Sequence, residues 1–182
     1  PTADAGHGSL PQIPAWYRKT FTIPKSYQGK SLSLEFDGVY RNAILWLNGH
    51  KLGKHTSGYM GFRHNIAPYV HYGAKNELAV FVDPRQSEGW WYEGAGIYRH
   101  AWLLKSYPVH IMTDGVHATP KKINDKQWQV PVVATRDNSG TQAANVKLEV
   151  TVFSPDHQVV TSKTLSVVVP VLVQSTANFP LT

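Results

Sequence analysis

Short segments in which apolar and polar residues alternate are the feature that most limits how this 182-residue chain can fold. In the segment 77–82, Leu78, Val80 and Val82 lie at every second position. They share one face of an extended strand, because successive side chains of a strand point to opposite sides. No segment keeps apolar residues at helical spacing for three turns. The sequence therefore predicts an all-β fold.

Turn signals separate these segments and set the number of strands. Asn48-Gly49 stands between two apolar runs, and it predicts a type I′ hairpin because both residues tolerate a positive φ. Asp137 to Gly140 is also rich in turn-forming residues. The predicted strands cover residues 16–23, 31–39, 42–47, 51–53, 62–70, 77–82, 96–104, 128–135, 146–153, 159–169 and 171–179.

A change of texture near Tyr107-Pro108 predicts two domains, 1–107 and 108–182. Aromatic residues become fewer beyond this point, and valine and threonine dominate. Alternating strands of this kind are typical of an immunoglobulin-like β-sandwich. Such a sandwich usually has about 100 residues, more than the segment 108–182 offers. We therefore expect the second domain to be C-terminally truncated.

Composition excludes several classes of function. The net charge is +6, but the basic residues are scattered, so we expect no nucleic-acid partner. No apolar run approaches the length that spans a membrane, so we expect no membrane association. The chain has no cysteine, which excludes disulfides and thiolate metal sites. The compartment stays open, with a periplasmic or secreted bacterial location favoured over the cytoplasm.

The segment 86–103 is the strongest candidate for a binding site. Two adjacent tryptophans and a tyrosine stand between Glu88 and Glu93. An aromatic ring can stack on the C–H face of a sugar while a carboxylate accepts hydrogen bonds from its hydroxyls. Aromatic residues also close loops and fill the cores of sandwiches, so a structural role stays open. The candidate residues for substrate binding or pocket shaping are Trp90, Trp91, Tyr92 and Glu93.

Catalytic chemistry within the chain is not expected. Glu88 and Glu93 are the only close acidic pair in an aromatic context, and a single loop does not fix the spacing that a glycosidase needs. The nine histidines have no recognised metal-ligand spacing. A Gly-x-Ser-x-Gly elbow and a phosphate-binding glycine loop are both absent. We expect no metal and no cofactor.

Six motifs follow one another in the first domain. They are Trp-Tyr-Arg-Lys-Thr-Phe at 16–21, Phe-Asp-Gly-Val at 36–39, Leu-Trp-Leu-Asn-Gly-His at 45–50, Gly-Tyr-Met-Gly-Phe at 58–62, Asn-Glu-Leu-Ala-Val at 76–80 and Trp-Tyr-Glu-Gly-Ala-Gly-Ile-Tyr-Arg at 91–99. In order and spacing they resemble glycoside hydrolase family two, the family of β-galactosidases, β-mannosidases and β-glucuronidases. The resemblance implies a galactose-binding-like jelly-roll domain over residues 1–107, followed by an immunoglobulin-like domain.

The resemblance also implies what such a chain would do. In the family, the catalytic glutamates stand on a (β/α)₈ barrel, which this chain lacks. The chain is thus expected to be an inactive N-terminal part of a retaining exo-glycosidase, β-galactosidase-like, that supports the barrel. Its partners would be a β-galactoside or related glycoside, the missing barrel and a further copy in a homo-oligomer. The loop 90–93 would shape the substrate pocket or brace a domain interface. A free-standing carbohydrate-binding module or lectin is the alternative.

Overall fold

The computed structural model describes residues 13–85, 95–172 and 174–181. Within these ranges the chain forms strands and two short 3₁₀ helices, Lys25–Tyr27 and Ala67–Tyr69, and no α-helix. The prediction of an all-β fold is confirmed. The strands are β1 Ala15–Thr22, β2 Ser31–Phe36, β3 Val39–Tyr40, β4 Ala43–Leu47, β5 His50–His55, β6 Phe62–Asn65, β7 Lys75–Val82, β8 Gly96–Ile97, β9 Ala101–Ser106, β10 Val109–Ala118, β11 Lys121–Asn124, β12 Gln127–Asn138, β13 Ala144–Phe153, β14 Val159–Val169 and β15 Ser175–Leu181.

The chain divides into two compact units, Pro1–Lys105 and Ser106–Thr182. The first unit contains a four-stranded sheet in the order β1-β7-β4-β5 and a three-stranded sheet in the order β6-β2-β9. The short strands β3 and β8 pair with each other. Alternate residues of the central strands point inward and form one apolar core. The buried core residues are Ile23, Leu32, Leu34, Phe36, Val39, Ala43, Leu45, Leu47, Ile66, Leu78, Val80 and Val82.

The predicted Asn48-Gly49 hairpin connects β4 to β5, with φ values of 51° and 83° at its two residues. A second asparagine, Asn76, is completely buried and is hydrogen-bonded to Asn48 of this turn. Its Oδ1 accepts hydrogen bonds from Asn48 Nδ2 and from His71 N, both at 2.8 Å. Its Nδ2 donates to the carbonyls of His71 and Ala74 at 3.0 and 3.1 Å. Every polar atom of the buried amide is thus satisfied.

Three predicted strands differ from the strands of the structure. The prediction for 62–70 was wrong in its second half, where β6 stops at Asn65 and a 3₁₀ helix follows. Pro68 has no N–H for a ladder, and Asn65 Oδ1 accepts a hydrogen bond from Ala67 N at 3.0 Å. The predicted strands 31–39 and 96–104 are each divided into two, because Asp37 N donates to the carbonyl of His100 at 3.0 Å and both segments bend there.

The second unit has β12 at the centre of a sheet. β10, β11 and β15 all pair with β12, while β13 and β14 form a separate antiparallel pair. β10 and β11 were not among the predicted strands, and β12 runs three residues beyond its predicted end at 135. The apolar core consists of Val132, Ala134, Ala177 and Phe179. Arg136 and Asn138 continue the same inward face and are buried too.

Candidate functional site

The four residues selected from the sequence, Trp90, Trp91, Tyr92 and Glu93, lie outside the described residues, and so does Glu88. The geometry of the candidate site is therefore that of the residues on either side of this segment. On one side stand Asp83 and Arg85, directly after β7, and on the other stands β8, Gly96–Ile97.

Asp83 anchors the end of β7. Its backbone N–H donates to the carbonyl of Arg41 at 3.0 Å, and its own carbonyl accepts from Asn42 Nδ2 at 3.2 Å. Arg85 donates to the two carboxylate oxygens of Asp83 at 2.9 and 2.8 Å. These hydrogen bonds from the Arg85 side chain lower the pKa of Asp83 to about 2. Asp83 is consequently a charged anchor at neutral pH and has no proton to give in acid catalysis.

Gly96 anchors the other side, where β8 pairs with β3 through Val39–Ile97 and Tyr40–Gly96. Its φ is 106°, a value that side chains rarely adopt, and a Cβ at this position would collide with the hydroxyl of Tyr17. Glycine is therefore required here by backbone conformation and by space.

Tyr98 follows β8, and its side chain lies against Gly38 and Gly58. Its hydroxyl donates to the carbonyl of Gly58 at 2.9 Å, and a Cβ added to Gly38 would stand 2.8 Å from its ring. Tyr59 forms an edge-to-face contact with the buried Tyr40, with ring centroids 5.7 Å apart. Tyr59 and Tyr98 are both about half exposed, at 56% and 49%.

The carboxylate of Asp37 contacts two further rings, those of His100 and Trp102. Its Oδ2 accepts a hydrogen bond from Trp102 Nε1 at 3.0 Å and lies 3.6 Å from His100 Nδ1. The rings of His100 and Trp102 are 5.1 Å apart, and Trp102 is 47% exposed. We call Tyr59, Tyr98, His100 and Trp102 the aromatic rim.

The aromatic rim offers exposed rings beside a carboxylate, and such groups can stack on the C–H face of a sugar and accept hydrogen bonds from its hydroxyls. Tyr98, His100 and Trp102 lie within the segment 86–103 that the sequence indicated, but none of the four rim residues was among the named candidates, and Tyr59 lies outside that segment. Asp37 and Trp102 are 65 residues apart, so only the pairing of their segments reveals the contact. The described residues contain no group of three or more histidine, cysteine or acidic residues that could hold a metal ion. None of their helices is long and apolar enough to cross a membrane.

Comparison with known proteins identifies the family. Residues 9–108 match the model described as "Glycosyl hydrolases family 2, sugar binding domain". A β-galactosidase from Bacteroides ovatus, BoGH2A, is 39% identical over 142 residues, which are 78% of this chain and 17% of that protein. A putative β-glucuronidase from Formosa agariphila is 38% identical over 120 residues, 65% of this chain and 12% of that protein.

Solved structures show the same architecture. A glycosyl hydrolase family 2 member from Bacteroides cellulosilyticus superposes with a TM-score of 0.88 at 31% identity, over 98% of this chain and 24% of that one. The chain thus spans less than a fifth of the length of the two curated relatives, at 17% and 12%. With more than half of its residues matched by the family model, 9–108 of 182, the chain belongs to glycosyl hydrolase family 2.

Proposed function

We propose that the chain is the non-catalytic N-terminal part of a retaining exo-glycosidase of the β-galactosidase type. Residues 1–107 would form its jelly-roll sugar-binding domain and residues 108–182 its immunoglobulin-like domain. The observation that carries the proposal is the match of residues 9–108 to the sugar-binding domain of a hydrolase family. The identity of 39% to a β-galactosidase supports a galactoside as substrate. β-Glucuronidases also occur among the relatives, so a glucuronide is the competing substrate.

In a retaining enzyme, one carboxylic acid protonates the glycosidic oxygen while a second attacks the sugar. Neither Asp83 nor Asp37, the two carboxyls described at the candidate site, is suited to the first role. Asp83 is held ionised by Arg85, with a pKa of about 2, and Asp37 is engaged by Trp102 and His100. Binding and positioning are the roles that these side chains support, and the two catalytic glutamates belong to a barrel elsewhere in the protein.

The anchors on both sides of residues 86–94 favour a positioning role for that segment. Asp83 is bonded to Arg41, Asn42 and Arg85, and Gly96 is paired with Tyr40. The described residues on both sides of the segment are thus held in place by hydrogen bonds and strand pairing within the first unit, as residues that support a site need to be. We infer that Trp90, Trp91, Tyr92 and Glu93 shape the substrate pocket of the complete enzyme.

The first experiment concerns catalysis. The purified 182-residue chain is incubated with the aryl β-galactoside and the aryl β-glucuronide, and we expect no turnover above the buffer rate. The reading frame beyond the codon for Thr182 is then sequenced, and we expect it to continue into a βα-repeating barrel with two glutamates. Turnover by the pure chain that disappears with Glu93→Gln would refute the proposal.

The second experiment tests the loop in the complete enzyme. Trp91→Ala is expected to raise KM about tenfold or more, which corresponds to about 1.4 kcal/mol of lost binding. Trp128→Ala is the matched control, because Trp128 is exposed at 52% in the second unit and should leave KM unchanged. An unchanged KM for Trp91→Ala would instead assign the tryptophan to a domain interface.

A free-standing carbohydrate-binding module is the second candidate, and the aromatic rim favours it. The exposed rings of Tyr98 and Trp102 beside Asp37 form a described surface that needs no barrel. Calorimetric titration of the chain with galactosides, glucosides and mannosides separates the two candidates. Saturable binding that is lost with Trp102→Ala would favour the module. Flat titrations, together with a reading frame that continues, would favour the enzyme part.

A further inference from the structure

The outer face of the four-stranded sheet carries a cluster of three aromatic rings. The ring of Trp16 on β1 lies 5.2 Å from that of Trp46 on β4 and 5.0 Å from that of Phe81 on β7, measured between centroids. Trp16 stands opposite Phe81 in the ladder between β1 and β7, on the side that faces away from the core. Trp46 and Phe81 are half-buried, whereas Trp16 is 56% exposed. One ring of the cluster is thus open to a ligand.

Aromatic residues are not a general property of the outer faces of this unit. In the three-stranded sheet Leu34 and Phe36 belong to the core, so the residues that alternate with them point outward. The outward residues where β2 pairs with β6 are all polar, namely Ser33, Glu35, Arg63 and Asn65. The aromatic cluster is therefore particular to one face, and packing in the core does not explain it.

A charged pair borders the cluster. Arg18 Nη1 donates to Glu77 Oε1 at 2.9 Å, and the two side chains are 67% and 52% exposed. The pair and the two indole rings surround a hollow of about 240 Å³. Its lining residues are Trp16, Arg18, Trp46, Gly49, Glu77 and Ala79. The hollow therefore combines flat apolar rings with a strong hydrogen-bond donor and a strong acceptor.

The Asn48 turn fixes the position of Glu77. The backbone N–H of Glu77 donates to Asn48 Oδ1 at 2.9 Å, and its carbonyl accepts from the Asn48 N–H, also at 2.9 Å. Asn48 Nδ2 in turn donates to Oδ1 of the buried Asn76 at 2.8 Å. The acceptor of the hollow is thus supported by hydrogen bonds that reach into the interior, as a residue of a binding site needs to be.

We propose that this hollow binds one pyranose unit of an oligosaccharide. The exposed ring of Trp16 can stack on the C–H face of the sugar. Adjacent hydroxyls of a pyranose offer a donor and an acceptor side by side, which suits the carboxylate of Glu77 and the several N–H donors of Arg18. The hollow shares no residue with the aromatic rim, and the proposal depends neither on a catalytic barrel nor on that rim.

The size of the hollow favours a small hydroxylated ring over a protein partner. Pockets for drug-sized ligands measure about 300–1,000 Å³, and this hollow, at about 240 Å³, is smaller. A stable protein interface buries about 800 Å² on each partner, far more than three partly covered rings offer. Polar residues border the cluster on both sides, with Thr20 opposite Glu77 and Lys51 opposite Trp46 in the ladders. The aromatic surface is therefore small and ringed by hydrogen-bonding groups.

The test follows the tryptophans themselves by fluorine NMR. The 182-residue chain is prepared with fluorotryptophan and titrated with methyl β-galactoside and with galactotriose. Sorbitol is the control ligand, because it carries the hydroxyls of a sugar without the ring. We expect the resonances of Trp16 and Trp46 to shift saturably with both sugars and to stay in place with sorbitol. The loss of one resonance in Trp16→Ala assigns the signal of that residue.

Matched variants locate the binding. Trp16→Ala should abolish the saturable shift of Trp46, whereas Trp16→Phe keeps a flat ring and should retain it. Glu77→Gln keeps the shape and removes the charge of the acceptor, so it should raise Kd about threefold or more. Trp128→Ala removes a tryptophan of similar exposure, 52%, in the second unit and should leave Kd unchanged. Equal Tm values for the variants and the parent chain show that the fold is preserved.

Three results would overturn the proposal. The first is a shift of equal size with sorbitol and with the sugars. The second is sugar binding that is kept in Trp16→Ala and lost in Trp102→Ala, which would assign the sugar to the aromatic rim. The third comes from the same titration of the complete protein, where a Trp16 resonance that no longer responds would assign this face to a contact within the polypeptide. Turnover is not read in any of these titrations, so failure of the hollow and failure of the proposed function are distinguished.

Discussion

Arg136 is a buried cation whose charge is not compensated by the described residues around it. It continues the inward face of β12 after Val132 and Ala134 and is only 3% exposed. Its Nη2 donates to Ser175 Oγ at 3.0 Å. Nε and Nη1 are buried and have no hydrogen-bond partner among the described residues. We predict that Arg136→Met stabilises the chain.

The magnitude follows from what the substitution removes and what it retains. Two buried donors without partners cost about 1–3 kcal/mol each, whereas the hydrogen bond lost at Ser175 contributes about 1.5–3 kcal/mol. Methionine is similarly long, unbranched and flexible, so it fills most of the same space. Replacing buried charged groups by apolar residues of similar volume gains about 1–4 kcal/mol in other proteins. We expect a gain at the lower end, about 1–2 kcal/mol, because the lost bond to Ser175 offsets part of it.

Urea denaturation of the 182-residue chain measures this gain as a shift of the midpoint at constant m-value. Two controls accompany it. Arg136→Lys keeps a positive charge in the core and should not stabilise. Arg18→Met removes an arginine that is 67% exposed and paired with Glu77, and should change the free energy of unfolding by at most about 1 kcal/mol. A loss of stability in Arg136→Met, with Arg136→Lys tolerated, would refute the reasoning.

Three further predictions concern the first unit. Asn76→Asp should destabilise by about 3 kcal/mol or more in urea, because a buried carboxylate cannot donate to the two backbone carbonyls that Nδ2 serves, and a near-neutral result would contradict this. Gly58→Ala should cost about 1–3 kcal/mol, because its Cβ would collide with the ring of Tyr40, and adding Tyr40→Leu should restore part of the loss in the same assay. Burial, and to a smaller extent the charge of nearby His55, lowers the pKa of His64 in the folded chain. The unfolded chain therefore binds a proton at His64 more readily than the folded chain does. The contribution of neutral His64 to the free energy of unfolding should therefore be fully present above about pH 6.5 and should decrease below it. Tm measured at pH 8 and pH 5 checks this, and His64→Gln should reduce the difference between the two values.

The sequence predicted the strands wherever one face of a strand is buried. Leu78, Val80 and Val82 alternate because β7 has a core on one side only, and the period of two records this. β12 shows where such a pattern misleads. Residues after 135 have the composition of a turn, yet the strand continues to Asn138. Arg136 and Asn138 face inward, and Asn138 Nδ2 bonds the carbonyls of Gln142 and Val169 at 2.9 and 3.0 Å. These hydrogen bonds, of which the one to Val169 reaches a strand 31 residues further along the chain, thus override local propensity.

The candidate site was predictable only in part. A composition rich in aromatic and acidic residues identifies a segment of the sequence, but it does not give the arrangement of the side chains in space. The aromatic rim depends on the bend at Asp37, where a backbone hydrogen bond to His100 aligns two segments. The same bend brings the Asp37 carboxylate to Trp102 Nε1, at 3.0 Å. Neither contact follows from a motif, since each joins residues more than sixty positions apart. Gly38 completes the arrangement by leaving room for Tyr98. Gly38→Ala should therefore displace the ring of Tyr98 while the core stays folded, so it would separate the proposed sugar binding at the rim, measured by calorimetric titration, from stability, measured in urea.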